Sequence, residues 1–325
     1  MTFARRTAAC ACVLGAVVAP TAEAEPFLVR NQHPFVALFG LPAPLPARLP
    51  AQGGGAVAGL VNWSNFATTG TEGDLGYTLD GEVFETRVIV DHSLGARFAL
   101  HGELAYRSLS EGSLDGAIDQ WHDFFSLPDG SRPRLPEEQL LLEYRNGAGT
   151  PFRVDGASSG LADVPLALGY QWHASDTGAL ATWLSIKAPT GSAEDLTGSG
   201  AVDVALSLAG ERRVGERWQA FGQANLAWLG EGELLPELQE DVAWSLLGGL
   251  SWNAWRGLDL AVQVEVNSAV LDSGLDDLDG AATVLTFGGS YRTAGGWRFD
   301  LAVSEDVQTD ASPDVVFNLG VRHGF

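Results

Sequence analysis

In Leu258-Asp259-Leu260-Ala261-Val262-Gln263-Val264-Glu265-Val266-Asn267 every even position is aliphatic, and every odd position except Ala261 is polar. Successive side chains of a β-strand point to opposite faces, so this stretch reads as a strand with one apolar and one polar face. The pattern recurs along the chain. Trp297, Phe299, Leu301 and Val303 alternate with Arg298, Asp300, Ala302 and Ser304. Phe98, Leu100, Leu104 and Tyr106 alternate with Arg97, His101, Glu103 and Arg107. Residues 84–91 and 202–211 repeat it.

A soluble sandwich would bury such apolar faces between two sheets, whereas a transmembrane barrel turns them to lipid. Four features favour the barrel. The strands are long, about 10–12 residues against the usual ~5–6 of globular proteins. Short turns near 92–95, 175–178, 213–216, 254–257 and 293–296 alternate with long polar loops near 69–81, 109–137, 189–200, 230–241, 270–280 and 306–313. Trp218 and Trp228 share one face, as do Trp244 and Trp252; at ~3.3 Å per residue and a tilt near 40° these pairs are about 20–25 Å apart vertically, the spacing of two aromatic girdles. Finally, Phe317, Leu319, Val321 and Phe325 share one parity; the stretch resembles the last strand of proteins assembled into the bacterial outer membrane, and that resemblance implies an assembly signal. The sequence therefore predicts an all-β, up-and-down antiparallel transmembrane barrel over residues 55–325. It has about fourteen strands, with twelve as the alternative if the segment at 150–155 and a partner are not counted. Residues 25–54, with Pro26, Pro34, Pro42, Pro44, Pro46 and Pro50, cannot be a regular strand, and read as a periplasmic or plug segment.

Residues 1–24 read as a secretory leader: Arg5 and Arg6, an apolar run from Thr7 to Val18, and Ala22-Glu23-Ala24 as the cleavage site. Both cysteines, Cys10 and Cys12, fall inside it, which leaves no disulfide framework and no thiolate metal site in the remainder. The leader and barrel together predict the outer membrane of a Gram-negative bacterium. Expected partners are outer-membrane lipid, lipopolysaccharide and the assembly machinery. A net charge of −22 excludes nucleic acid, whose phosphates require Lys and Arg.

Strand parity sorts the charges. The acids Glu85, Asp91, Glu103, Glu143, Asp203, Asp259, Glu265 and Asp300 face inward, with the bases Arg87, Arg97, Arg107, Arg145, Lys187, Arg292, Arg298 and Arg322. His101 and His173 join them as lumen-lining candidates. Buried charges must be paired, so carboxylate–guanidinium ladders are expected across neighbouring strands. The acidic excess falls in the loops, where it serves solubility or attracts cations.

Little points to catalysis. The histidines, His33, His92, His101, His122, His173 and His323, form no paired zinc spacing, and neither G-x-S-x-G nor G-x-x-x-x-G-K occurs. His101 with Glu103, or His173 with Ser185, are the pairs a lipid-modifying enzyme would use. The expectation is no enzyme, no metal and no cofactor. In the loop at 109–137, Ile118, Trp121, Phe124 and Phe125 fall on one face of an amphipathic helix, with His122 beside them. That helix either enters the barrel mouth as a gate or lies on the outer leaflet.

Phe27-Leu28-Val29-Arg30-Asn31-Gln32-His33-Pro34, the stretch Trp121-His122-Asp123-Phe124-Phe125-Ser126-Leu127-Pro128-Asp129-Gly130-Ser131-Arg132, and Ser159-Gly160-Leu161-Ala162-Asp163 resemble the bacterial family catalogued as domain of unknown function 3187. Lys187-Ala188-Pro189-Thr190-Gly191 and Ser159–Asp163 also resemble stretches of other outer-membrane barrels, such as those of the phenol-degradation (MetA-pathway) type. The resemblance implies an outer-membrane barrel and supplies no catalytic residues. The functional expectation is a passive channel or transporter for a small, possibly apolar, permeant. The alternative is a filled structural or adhesive barrel with acidic loops that bind lipopolysaccharide, cations or protein.

Overall fold

The computed structural model describes residues 25–125, 130–307 and 311–325; the leader expected at residues 1–24 lies outside them. The barrel closes with twelve strands: β1 (Gly55–Glu72), β2 (Leu75–Ser93), β3 (Phe98–Ser110), β7 (Val164–Ser175), β8 (Gly178–Ala188), β9 (Asp203–Val214), β10 (Trp218–Trp228), β11 (Val242–Trp255), β12 (Leu258–Asn267), β13 (Ala282–Arg292), β14 (Trp297–Asp306) and β15 (Val315–Gly324). Each pairs antiparallel with the next, and β15 returns to β1. At this seam the Phe325 N–H donates to Gly55 O at 2.9 Å, and Gly55 N–H to Phe325 O at 2.8 Å. A closed ring leaves no strand edge unpaired, as hydrocarbon requires.

The twelve-strand count is therefore the one realised. The extra pair read from the sequence is a hairpin, β4 (Leu141–Asn146) and β5 (Gly149–Val154), which hangs on the upper end of β2 at Gly76–Asp80. β6 (Ser158–Leu161) continues the β3 ladder above β7. The β1–β2 hairpin turns on two residues, Gly73 and Asp74, and Gly73 has φ 58°, the left-handed backbone such a turn requires.

Side chains on the outer face are apolar and open to the surroundings: Val88, Leu104, Leu206, Leu246, Val262 and Leu301. Trp218 stacks on Trp252 near the short-turn end at 6.2 Å between ring centroids, directly cross-strand. Trp228 and Trp244 occupy the opposite rim. Among the described residues no helix is long and apolar enough to cross a membrane; the spanning elements are strands.

The interior is full. Residues 25–54 run up the lumen from the short-turn end, turn at a short 3-10 helix (Val36–Leu38), and descend to Gly55. At the long-loop end Phe35, Val36, Leu38, Phe39 and Leu41 join Tyr77, Leu79, Leu142, Tyr144, Leu196, Leu235, Leu271 and Leu275 in one apolar core. Loops folded inward thus cover the mouth. Smaller clusters hold the legs: Phe27 and Val29 pack against Ala302 and Val316, and Leu45 and Leu49 against Ala99, Ala167 and Trp183.

Candidate functional site

The lumen is a contact surface between the wall and this hairpin plug, and one half of the wall is ionic. Parity on β2, β3, β14 and β15 brings alternating charges inward, and they connect end to end. Asp300 bonds Arg298 at 2.7 Å, and Arg298 bonds Glu25 of the plug at 2.6 Å. Glu25 also bonds Arg322 at 3.1 Å, and Arg322 bonds Asp91 at 3.2 Å. His101 bridges Asp91 at 2.8 Å and Glu103 at 3.0 Å. Arg87 joins Glu103 at 3.2 Å to Glu85 at 3.0 Å, and Glu85 accepts from Arg107 at 2.9 Å. Charges out of water persist only when paired in this way.

A second node surrounds Lys187. Its Nζ lies 2.6 Å from Asp163 and 3.1 Å from Asp203, and also donates to Ser199 Oγ and to Leu38 O of the plug. The two aspartates fasten the loops: Gly191 N–H donates to Asp163, and Gly230 N–H and the plug's Gly40 N–H donate to Asp203. The remaining wall, on β9 to β13, carries mainly amides and hydroxyls, among them Gln223, Asn225, Ser245, Gln263, Asn267 and Thr286, with the acids Asp259 and Glu265 on β12.

The plug is locked at both ends. Arg30 closes its apex by donating to Ala37 O at 2.9 Å and Leu41 O at 2.8 Å. Asn31 donates to Asn267 at 2.9 Å and Ala311 O at 2.8 Å. Arg48 pairs with Glu211 at 2.9 Å near the floor. Burial pushes the Glu25 carboxyl upward, but Arg322, Arg298 and Arg292 outweigh it and hold the group at about 2. Burial alone pushes the His33 imidazole down to about 3. Cavities between plug and wall, of about 30 and 40 Å³, have room for a few waters each.

Arg87, His101, Glu103, Arg107, Lys187, Asp203, Glu265, Arg298, Asp300 and Arg322 all lie at this contact surface, buried or nearly so. Four other residues assigned inward from sequence do not. Glu143 and Arg145 pair with each other on the β4–β5 hairpin, beyond the barrel wall. Arg97 is exposed at the short-turn rim, where it donates to the Tyr170 hydroxyl at 3.1 Å. His173 is exposed there too, because a bulge between Gln171 and His173 breaks the alternation. The β7–β8 register sets His173 against Leu180 and Ser185 against Ala167, so they form no pair. His101 has a carboxylate on each ring nitrogen.

Of the two placements left open for the amphipathic helix, the structure shows the one outside the lumen. α1 (Asp115–Phe125) lies outside the barrel. Leu114 and Ile118 pack on Val315, Trp63 and Val303, which share the outward parity of their strands. Glu82, also outward, accepts from the Ser113 and Leu114 N–H groups at 2.9 and 2.6 Å and caps the helix start. Arg132 ties the loop down through Asp115, Asp119 and Asp314. His122 is buried, whereas Phe124 is 80% exposed on the outer side; the side chains of Trp121 and Phe125 lie outside the described residues. Of the C-terminal residues, Phe317, Leu319 and Phe325 are exposed on the outer face and Val321 is half-buried.

Glu25, Arg30, Arg48 and Asp163 went unassigned in the sequence. Asp163 closes the Ser159–Asp163 stretch and partners the only lysine. The other three sit in a Pro-rich segment whose strand parity cannot be read.

A closed antiparallel barrel with an apolar belt and a paired polar lumen defines a transmembrane β-barrel of the outer-membrane channel fold. The chain belongs to the family described as "Protein of unknown function (DUF3187)", whose model matches residues 2–325. The COG4313 outer membrane channel from Pseudomonas putida F1 shares the fold at a TM-score of 0.57 and 15% identity, over 86% of this chain and 97% of that one. The KdgM porin in complex with disordered oligogalacturonate aligns at 0.45 and 8% identity over 83% and 99% of the two chains. The P. putida toluene transporter TodX aligns at 0.41 and 13% identity over 84% and 89%. No curated protein matches the sequence.

Proposed function

We propose that this protein is an outer-membrane channel for small molecules, held shut by its own N-terminal hairpin. One observation carries the reading: both legs of the plug end at the short-turn floor, so the hairpin can leave the lumen towards the periplasm without threading through a closed ring. The leader expected at residues 1–24 and the fold shared with outer-membrane channels support this location. Assembly of the terminal strand by the outer-membrane machinery, contact with lipopolysaccharide at the rim, and the absence of catalysis belong to the same reading. The polar wall that the plug now satisfies would line the open path, which favours polar over apolar solutes.

Swelling of vesicles containing the mature chain, in solutions of small sugars and amino acids, tests this. The intact protein should pass solute slowly. Arg298→Ala/Arg322→Ala removes both Glu25 contacts and should raise the rate several-fold. No rise in a folded variant would favour the filled structural barrel.

A further inference from the structure

The descending leg, Leu41-Pro42-Ala43-Pro44-Leu45-Pro46-Ala47-Arg48-Leu49-Pro50, has no regular secondary structure and bends at Ala47 and Arg48, and the wall reads its backbone at two places. Gln223 accepts from the Leu45 N–H at 2.7 Å and donates to Ala43 O at 3.1 Å. Four residues on, Gln171 does the same: it accepts from the Leu49 N–H at 2.7 Å and donates to Ala47 O at 2.8 Å. Between them Trp183 Nε1 donates to Pro46 O at 2.9 Å. A primary amide offering C=O and N–H to backbone groups two residues apart presents what a neighbouring β-strand would present.

None of these bonds touches a plug side chain. The wall holds the reading groups in place: Gln171 also donates to His173 O and Leu180 O at 2.8 and 2.9 Å. Gln223 donates to Asn225 Oδ1 at 2.9 Å, and Asn225 to Ser245 Oγ at 2.7 Å. The row therefore reads main-chain groups, while the Arg48–Glu211 pair and the packing of Leu45 and Leu49 on Ala99, Ala167 and Trp183 add side-chain contacts beside it.

We propose that Gln171, Trp183 and Gln223 form a main-chain recognition row, and that the solute admitted is a short extended peptide that competes with the descending leg for it. This rests on the channel reading above and names its substrate class. The repeat favours a peptide, because two sites four residues apart each need a donor and an acceptor from one backbone.

The test uses the full mature chain in vesicles and a labelled decapeptide of the sequence of residues 41–50. The same decapeptide N-methylated at the positions of Leu45 and Leu49 lacks the two N–H groups that the glutamines accept. The parent peptide should bind saturably and speed solute passage. The methylated peptide should bind about tenfold or more weakly. Gln171→Ala/Gln223→Ala should pass more solute unprompted yet bind the parent peptide about tenfold less. Equal binding of the two peptides, or no binding while Arg298→Ala/Arg322→Ala passes solute, overturns the peptide proposal and leaves the channel standing. If that variant stays closed as well, the channel reading fails with it.

Discussion

The ammonium of Lys187, the only lysine in the chain, donates to the carbonyl of Leu38 at 3.0 Å, across the boundary between wall and plug. The same nitrogen neutralises Asp163 and Asp203, which in turn hold the loops beginning near Gly191 and Gly230. One side chain thus couples the plug apex, the wall and the mouth. Lys187→Met leaves two buried carboxylates unpaired and should destabilise the protein by about 3–5 kcal/mol. Denaturant unfolding in detergent, followed by tryptophan fluorescence, measures this. A loss below ~1 kcal/mol would mean that the node is hydrated and weakly coupled.

Two glutamates on the same sequence parity should respond differently. Glu85 is the buried partner of Arg87 and Arg107, so Glu85→Ala takes the carboxylate from Arg107, leaves Arg87 with Glu103 alone, and should cost about 3–5 kcal/mol. Glu143 lies on the β4–β5 hairpin with half-exposed Arg145 and Arg153, so Glu143→Ala should cost no more than about 1 kcal/mol. Parallel unfolding curves separate the two.

Acid should loosen the plug. Glu25 titrates at about 2 when docked and near 4.5 when free, so its contribution is intact above pH 4.5 and is lost as pH falls towards 2. His33 is held neutral down to about pH 3, whereas a free imidazole takes a proton near 6.5. Below pH 6.5 the released plug therefore binds more protons than the docked one, and docking weakens progressively. Protease cleavage at Arg48 should accelerate below pH 6.5 and more steeply below 4.5. His33→Leu should remove the upper part of that window and leave the lower. A pH-independent cleavage rate would contradict both assignments.

α1 lies against the outside of β1, β14 and β15, so removing it opens nothing. A chain lacking Gly116–Ser131 should match the intact protein in conductance. A larger current in that deletion would restore the helix as a gate.

The barrel was legible wherever strands stay regular. Alternation along β12 and β14 sorts each residue to wall or lipid, and paired tryptophans give the membrane height. The limits are physical. The β4–β5 hairpin alternates like a spanning strand, because its partner is an upward extension of β2 and period two carries no depth. The bulge after Gln171 turns His173 outward, and one unpaired residue leaves no mark in composition. An amphipathic helix shows that it must cover something, yet Ile118 meets Val315 on the outside, and only the tertiary fold settles that. The plug's partners were hidden most deeply. Pro42, Pro44 and Pro46 exclude a strand, but nothing local pairs Leu45 with Gln223, 178 residues away.

The most direct test is single-channel conductance in planar bilayers, comparing the mature chain with one lacking residues 25–50. An intact protein that is closed most of the time, beside a deletion with steady large currents, is the expected result. A correctly folded deletion as silent as the intact protein would show that the plug does not close a path, and would contradict the account.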